Sequence, residues 1–263
     1  MGSLEAGSLK GRVAIVTGAG QGLGRSHALA LAAEGAAVLV NDVDAGMASA
    51  TVHEIREAGG EAEGDGIGLS TVAHGAALVE RAVESLGRVD IVVNNAGISR
   101  PSPAEDLDDP GLDLHLGVHL RATVGTTAAA LPLMRAQGYG RVINTVSGHG
   151  LEPLHPHSAA YAAAKAAVFG FTRAAALEVG EGTTVNAVAP LAYTRMSEAY
   201  LSRIEGAEAR YATKHVSLVV VWLCSQEWGG VNGHVLRVEG EMIGAYKVQA
   251  GPLVAFDRVS EIL

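Results

Sequence analysis

The chain has 263 residues, 48% of them apolar, 34 glycines and a formal net charge of −9, with a pI near 5.5. This length, without a Pro/Ser-rich linker or low-complexity break, reads as one domain with a sizeable core. An acidic chain with scattered Lys and Arg excludes binding to a phosphate backbone, and its single cysteine, Cys224, excludes an internal disulfide.

The first residues, MGSLEAGSLKGR, lack the apolar core of a secretion signal, and no stretch approaches the roughly 18 apolar residues that span a bilayer. The expectation is a soluble, cytoplasmic protein with neither nucleic-acid nor membrane partners. A flexible tail is expected over 1–8, the domain over 9–240, and over 241–263 an extension packing on the domain or on a neighbouring subunit.

In chain order, apolar and β-branched runs predict strands over 12–17, 36–41, 89–94, 141–146, 184–188 and 235–238. Ala- and Leu-rich segments predict helices over 23–34, 71–86, 112–136, 159–179 and 213–225. Strands that are apolar throughout, not alternating, imply burial on both faces. The fold class is therefore α/β: a single-domain, Rossmann-type doubly wound parallel sheet with helices on both faces.

Between the first strand and first helix lies Thr17-Gly-Ala-Gly-Gln-Gly-Leu-Gly24. Glycines at 18, 22 and 24 let backbone approach a pyrophosphate, whose charge a helix N-terminus favours. The dinucleotide contacts expected here are Gly18, Gln21, Gly22, Leu23 and Gly24. Asp42 ends the second strand about 20 residues on, beside Val43, and its carboxylate would accept from adenosine ribose hydroxyls while repelling a 2′-phosphate. NAD is expected rather than NADP; the competing reading makes Asp42 a turn or capping residue in Asn-Asp-Val-Asp.

Tyr161 and Lys165 stand four apart in an alanine-rich run, so both side chains leave one helical face. An ammonium beside a phenol favours the phenolate, which predicts a Tyr161 able to exchange protons near neutral pH. Cys224, inside Val219-Val-Val-Trp-Leu-Cys224, reads as a small core residue.

Thr17-Gly-x-x-x-Gly-x-Gly24, Asn94-Asn-Ala-Gly97, Ser147, Tyr161-x-x-x-Lys165 and Asn186-Ala-Val-Ala-Pro190 occur in that order across the chain. The ordered set resembles the short-chain dehydrogenase/reductases. Val40-Asn-Asp42, Val118-His-Leu-Arg121, Gln137-Gly-Tyr-Gly-Arg141, Ala189-Pro-Leu-Ala-Tyr-Thr-Arg-Met196 and Val221-Trp-Leu-Cys224 bring it nearer to the (3R)-hydroxyacyl-CoA dehydrogenase domain of the peroxisomal multifunctional β-oxidation enzyme.

The resemblance implies hydride transfer between a secondary alcohol and the nicotinamide. Tyr161 would act as general acid or base, Lys165 would hold the nicotinamide ribose and lower the tyrosine pKa, and Ser147 would hydrogen-bond the substrate oxygen. Asn94, Ala96 and Gly97 would floor the ribose, and Pro190, Leu191 and Thr194 would flank the nicotinamide. It further implies a homodimer or homotetramer built through the long helices. The substrate implied is a 3-hydroxyacyl-CoA or another bulky alcohol such as a steroid or polyketide, the alternatives being a non-catalytic nucleotide sensor or an epimerase using transient oxidation.

Three positions depart from the family pattern. His119 occupies the slot of the usual catalytic asparagine, where a structural role is weighed against a chemical one. Ser147 to Tyr161 is one residue longer than usual, and the extra residue is placed in the loop over 151–158. Leu69-Ser70 stands where an aspartate that caps adenine is expected. His149, His155 and His157 cluster before Tyr161; without Cys or carboxylate partners at a recognisable spacing they predict no metal site, and His149, His155 and Tyr193 are candidates to touch substrate. The segment over 196–212 reads as a short lid.

Overall fold

The computed structural model describes residues 7–152 and 155–248. Eight strands form one sheet in the order β3-β2-β1-β4-β5-β6-β7-β8. They are β1 Val13–Thr17, β2 Ala37–Asn41, β3 Ala62–Asp65, β4 Ile91–Asn94, β5 Gly140–Thr145, β6 Thr183–Leu191, β7 Val235–Glu239 and β8 Met242–Ala245. All pairings are parallel except β7 with β8. The strand order reverses between β1 and β4, so the ends of these two strands open a crevice at one edge of the sheet, where such folds bind ligands.

The helices are α1 Gly22–Ala33, α2 Ala45–Glu57, α3 Val72–Leu86, α4 Asp109–Leu116, α5 Ala122–Gln137, α6 Ala159–Ala175, α7 Glu198–Leu201, α8 Ala207–Arg210 and α9 Thr213–Cys224. Successive residues of β1 face opposite ways. Ala14 and Val16 pack with residues of α1, α2 and α9, while Ile15 packs with residues of α3 and α5. This is the core of a sheet covered on both faces. Cys224 is fully buried there, and burial pushes its thiol up to about 12, so it behaves as a small apolar residue.

The expected elements form, with shifted ends and several differences. The helix expected over 112–136 is α4 followed by a π turn, Gly117–Arg121, and then α5. Of the elements absent from the expectation, α2 and β3 complete the edge beside β2, α7 and α8 lie in the segment read as a lid, and β8 follows β7. Residue Asp44 caps α2 by accepting from the amides of Gly46 and Met47. Strand β6 runs on to Leu191, and Pro190 is tolerated there because β5 ends at Thr145, opposite Val188.

At the chain ends, the amides of Gly7 and Ser8 donate to the Glu34 carboxylate, so the expected tail is tied to the domain by residue 7. Beyond residue 240, β8 adds an antiparallel edge to β7. The rest of the tail expected over 1–8, and of the extension expected over 241–263, lies outside the described residues.

Candidate active site

The turn after β1 owes its shape to glycine. Gly18 and Gly22 adopt φ of +61° and +55°, a region that other residues enter at a cost. A Cβ on Gly24 would lie 2.0 Å from the Gly18 carbonyl oxygen, so only glycine lets α1 start this close to the turn. Gln21 and Gly22 are exposed, and Gln21 makes no side-chain cap. The first amides of α1 thus have no side-chain partner, and the turn fits an anionic phosphate group. Leu23 packs partly on the core and contributes backbone only.

Asp42 is buried. One of its oxygens accepts from the Gly20 amide at 2.9 Å, the other from the Asp44 amide at 3.0 Å. The carboxylate braces the glycine turn and retains lone pairs for further donors, so the competing reading of Asp42 as a turn residue describes part of its work. Val43 stands 78% exposed beside it. Leu69 is in the core and the Ser70 hydroxyl pairs with His74. The carboxylate at the end of β3 is Asp65, which accepts from the Asn41 side chain and the Ile67 amide.

The crevice floor comes from the loop after β4. Thr17 Oγ1 accepts from the amides of Asn95 and Ala96, and Asn95 Nδ2 donates to the carbonyls of Thr17 and Gly18. Thr17 and Asn95 therefore clamp the two loops together, a role the sequence reading missed; the doubled Asn94-Asn95 was its only signal. The Asn94 side chain is turned inward, donating to Asn144 Oδ1 at 2.9 Å and accepting from Thr126 at 2.7 Å. Asn144 in turn donates to Thr172. Asn94 consequently offers the crevice only backbone, alongside Ala96 and the exposed Gly97.

Ser147 follows β5, and Tyr161 and Lys165 lie on α6. Lys165 is buried, and its Nζ donates to the Thr145 carbonyl at 2.7 Å. Desolvation lowers its pKa from 10.5 to about 7. Its Nζ lies 5.8 Å from the Tyr161 ring centroid. Burial pushes the Tyr161 phenol above its ordinary value, opposed by the neighbouring Ser147 hydroxyl. This corrects the expectation that Lys165 acidifies the phenol in the free protein: a lysine with a pKa near 7 is half neutral at neutral pH and stabilises a phenolate correspondingly less.

His119 sits in the π turn, fully buried. Its Nε2 lies 2.9 Å from the Ile98 carbonyl oxygen and 3.3 Å from the Ile98 amide nitrogen, so the Ile98 backbone can pair with either tautomer of the ring. Its ring meets Tyr161 edge-on at 5.4 Å and leaves no room for a side chain at Gly97, where a Cβ would come 2.8 Å from Cε1. Desolvation, aided by the Lys165 charge, drops its pKa to about 2. Burial thus favours the neutral ring, and among the described residues its Nδ1 has no hydrogen-bond partner.

Around the opening, Ser147 Oγ lies 3.2 Å from His149 Nδ1. The His149 ring is edge-on to Tyr161 at 5.7 Å and tilted against His155 at 5.1 Å, and His155 is 6.1 Å from Tyr200 on α7. The His157 carbonyl accepts from the Ser102 amide. Thr194 stands across the crevice from Gly22, 3.6 Å from where a Cβ there would be, and Pro190 and Leu191 precede it at the end of β6. Tyr193 packs beneath α7 and α8 with Leu201, Ala207 and Tyr211, so of the three substrate candidates it is the one held in an apolar cluster.

A family model described as short chain dehydrogenase matches residues 12–203. The chain is 42% identical over 219 residues to the peroxisomal hydratase-dehydrogenase-epimerase of Neurospora crassa, covering 83% of this chain and 24% of that protein. It is 37% identical over 253 residues to the hydroxyacyl-CoA dehydrogenase ChsB1 of Mycobacterium tuberculosis, covering 89% and 79%. A crystal structure of a short chain dehydrogenase from Mycobacterium avium superposes with a TM-score of 0.85 at 40% identity, covering 95% of this chain and 90% of that one. The chain thus spans about a quarter of the Neurospora protein's length.

Proposed function

Because the chain belongs to the short chain dehydrogenase family, we propose that it is an NAD-dependent oxidoreductase moving hydride between the nicotinamide and a secondary alcohol or ketone, with a 3-hydroxyacyl-CoA as substrate. The observation that carries the reading is the convergence of Ser147, Tyr161 and Lys165 beside a glycine turn whose helix amides lack a side-chain cap. The substrate follows the names of the Neurospora and Mycobacterium relatives; a steroid or polyketide alcohol is the second class to assay.

The residues fit a dinucleotide. Gly18, Gln21, Gly22, Leu23 and Gly24 would hold the pyrophosphate through backbone, Asp42 and Val43 the adenosine, and Asn94, Ala96 and Gly97 the nicotinamide ribose from below. Pro190, Leu191 and Thr194 would flank the nicotinamide. The bound cofactor supplies the hydride acceptor or donor. Asp42, already fixed by two amides, meets a ribose diol with lone pairs and meets a 2′-phosphate with like charge, which favours NAD.

The chain's own part is proton handling. In alcohol oxidation Tyr161 Oη takes the hydroxyl proton while Ser147 donates to the oxygen as it gains negative charge. Lys165, held by Thr145, supplies positive charge beside the phenol when the cofactor orders the site. His119 is not an acid or base here, since its ring stays neutral; it fills the space behind Gly97. An epimerase would release product without net NADH, and a nucleotide sensor would bind without turnover.

Among the described residues no helix is long and apolar enough to cross a membrane. We propose a cytoplasmic enzyme acting as a homodimer or homotetramer. The peroxisomal relatives make that organelle the rival location, which cell fractionation decides. The functional test is absorbance at 340 nm with NAD and NADP in parallel against 3-hydroxyacyl-CoA, steroid and polyketide alcohols. NADH formation from the thioester is expected, and a clear NADP preference would reject the cofactor assignment.

A further inference from the structure

The Ser147 hydroxyl has one hydrogen and three claimants for it: the Tyr161 phenol, a substrate oxygen, and the imidazole of His149. The turn after β5 folds so that the His149 amide donates to Ser147 Oγ at 3.3 Å while its ring Nδ1 comes within 3.2 Å of the same oxygen. The ring stands edge-on to Tyr161 at 5.7 Å and tilted against His155 at 5.1 Å. The turn that carries it is pressed on α6: a Cβ on Gly150 would lie 2.6 Å from the Ala166 amide nitrogen.

Two hydrogen arrangements satisfy this geometry, with opposite consequences. If Nδ1 lacks a hydrogen, Ser147 donates to it and is lost to the reaction. If Nδ1 carries the hydrogen, Ser147 Oγ accepts from both the ring and the amide of His149, and its own hydrogen points at the phenol or the substrate oxygen. A hydroxyl that accepts two bonds is also a stronger donor. Only the second arrangement leaves the Ser147 hydrogen free for the phenol, in line with the direction in which Ser147 acts on Tyr161, towards a lower pKa.

We propose that His149 is a positioning residue of the reaction, donating from Nδ1 to Ser147 Oγ so that the single Ser147 hydrogen is directed at the reacting oxygen. This rests on the dehydrogenase reading above. The titratable groups facing His149 are Tyr161, with Lys165 behind it, on α6, and His155 in the following loop; Tyr200 of α7 faces His155. Among the described residues none of these is a carboxylate, and the Nδ1 partner is Ser147 Oγ.

The experiment compares His149→Phe, which keeps a ring without a donor, with His149→Asn, whose amide nitrogen can take the Nδ1 position. Measured for each are kcat and KM against pH, NADH affinity by fluorescence and thermal stability. His149→Phe is expected to lower kcat about 10- to 100-fold with NADH affinity within about threefold, and to move the pH dependence of kcat for alcohol oxidation to higher pH as the phenol loses support. His149→Asn is expected to recover most of kcat and the wild-type profile.

A His149→Phe enzyme with wild-type kcat and pH profile would overturn the proposal, as would equal loss in both variants with an unmoved profile. If the wild-type protein binds NADH yet oxidises no secondary alcohol, it is the dehydrogenase reading that fails, and the two failures are thereby separated.

Discussion

Lys165→Met tests the energetics of the site apart from its chemistry. A lysine taken from its ordinary 10.5 to about 7 by burial costs the fold about 5 kcal/mol at and below pH 7. The sign follows from proton counting. Between pH 7 and 10.5 the unfolded chain binds a proton that the folded one has shed, so wild-type stability rises with pH by about 1.4 kcal/mol per unit. Below pH 7 both states are charged and the full penalty stands.

Methionine removes that penalty and leaves the buried Thr145 carbonyl without its 2.7 Å partner, a loss of about 1–3 kcal/mol. At pH 7 the variant should be the more stable by about 2–4 kcal/mol, raising Tm by about 5–10 °C for a chain of this size, while turnover is abolished. The advantage should shrink as pH rises and reverse between about pH 8.5 and 10. Urea denaturation at pH 6.5, 8 and 9.5 reads this directly. A variant less stable than wild type by a constant margin at all three values would refute the reasoning.

Three further outcomes follow from the same geometry. Gly22→Ala keeps the fold, since a Cβ there meets nothing closer than 3.6 Å, with Tm down by about 2–4 °C for its positive φ; calorimetry should show dinucleotide binding lost, whereas Gly24→Ala, with its Cβ 2.0 Å from a carbonyl oxygen, should fail to give folded protein. Burial holds His27 at about 3 and His119 at about 2. Unfolding then takes up two protons below pH 6.5, and stability should fall by about 2.7 kcal/mol per pH unit between pH 6 and 4; denaturation curves with a flat acid limb would contradict this. Asp42→Ala removes the acceptor of the Gly20 and Asp44 amides and should weaken NAD affinity by about 10- to 100-fold while narrowing its preference over NADP, as read by titration calorimetry with both cofactors.

What the sequence could convey was set by period and spacing. Unbroken runs such as Val13–Thr17 and Ile91–Asn94 announce buried parallel strands, and the strand-glycine-helix order places the crevice. Strand β3 escaped because Ala-Glu-Gly-Asp has neither β-branching nor an apolar run, its strand character coming from pairing with β2. The π turn escaped because helical periodicity continues through it; only the inward position of His119, satisfied at Ile98, reveals the extra residue. The residue types of the site were legible as a set, and their hydrogen-bond directions were not. That Asn94 turns away into the Asn144 and Thr172 network, and that burial raises the Tyr161 phenol, depend on neighbours distant in sequence.

The central claim is that the Tyr161 hydroxyl exchanges a proton with a substrate alcohol while hydride moves to a dinucleotide in the same crevice. Stopped-flow absorbance at 340 nm, with enzyme in excess over a 3-hydroxyacyl-CoA and saturating NAD, compares wild type with Tyr161→Phe. One NADH per ketone formed by the wild type, and a rate lower by about 10³ or more in the variant at unchanged NADH affinity, is the predicted result. Equal rates in the two proteins, or ketone formed without NADH, would contradict it.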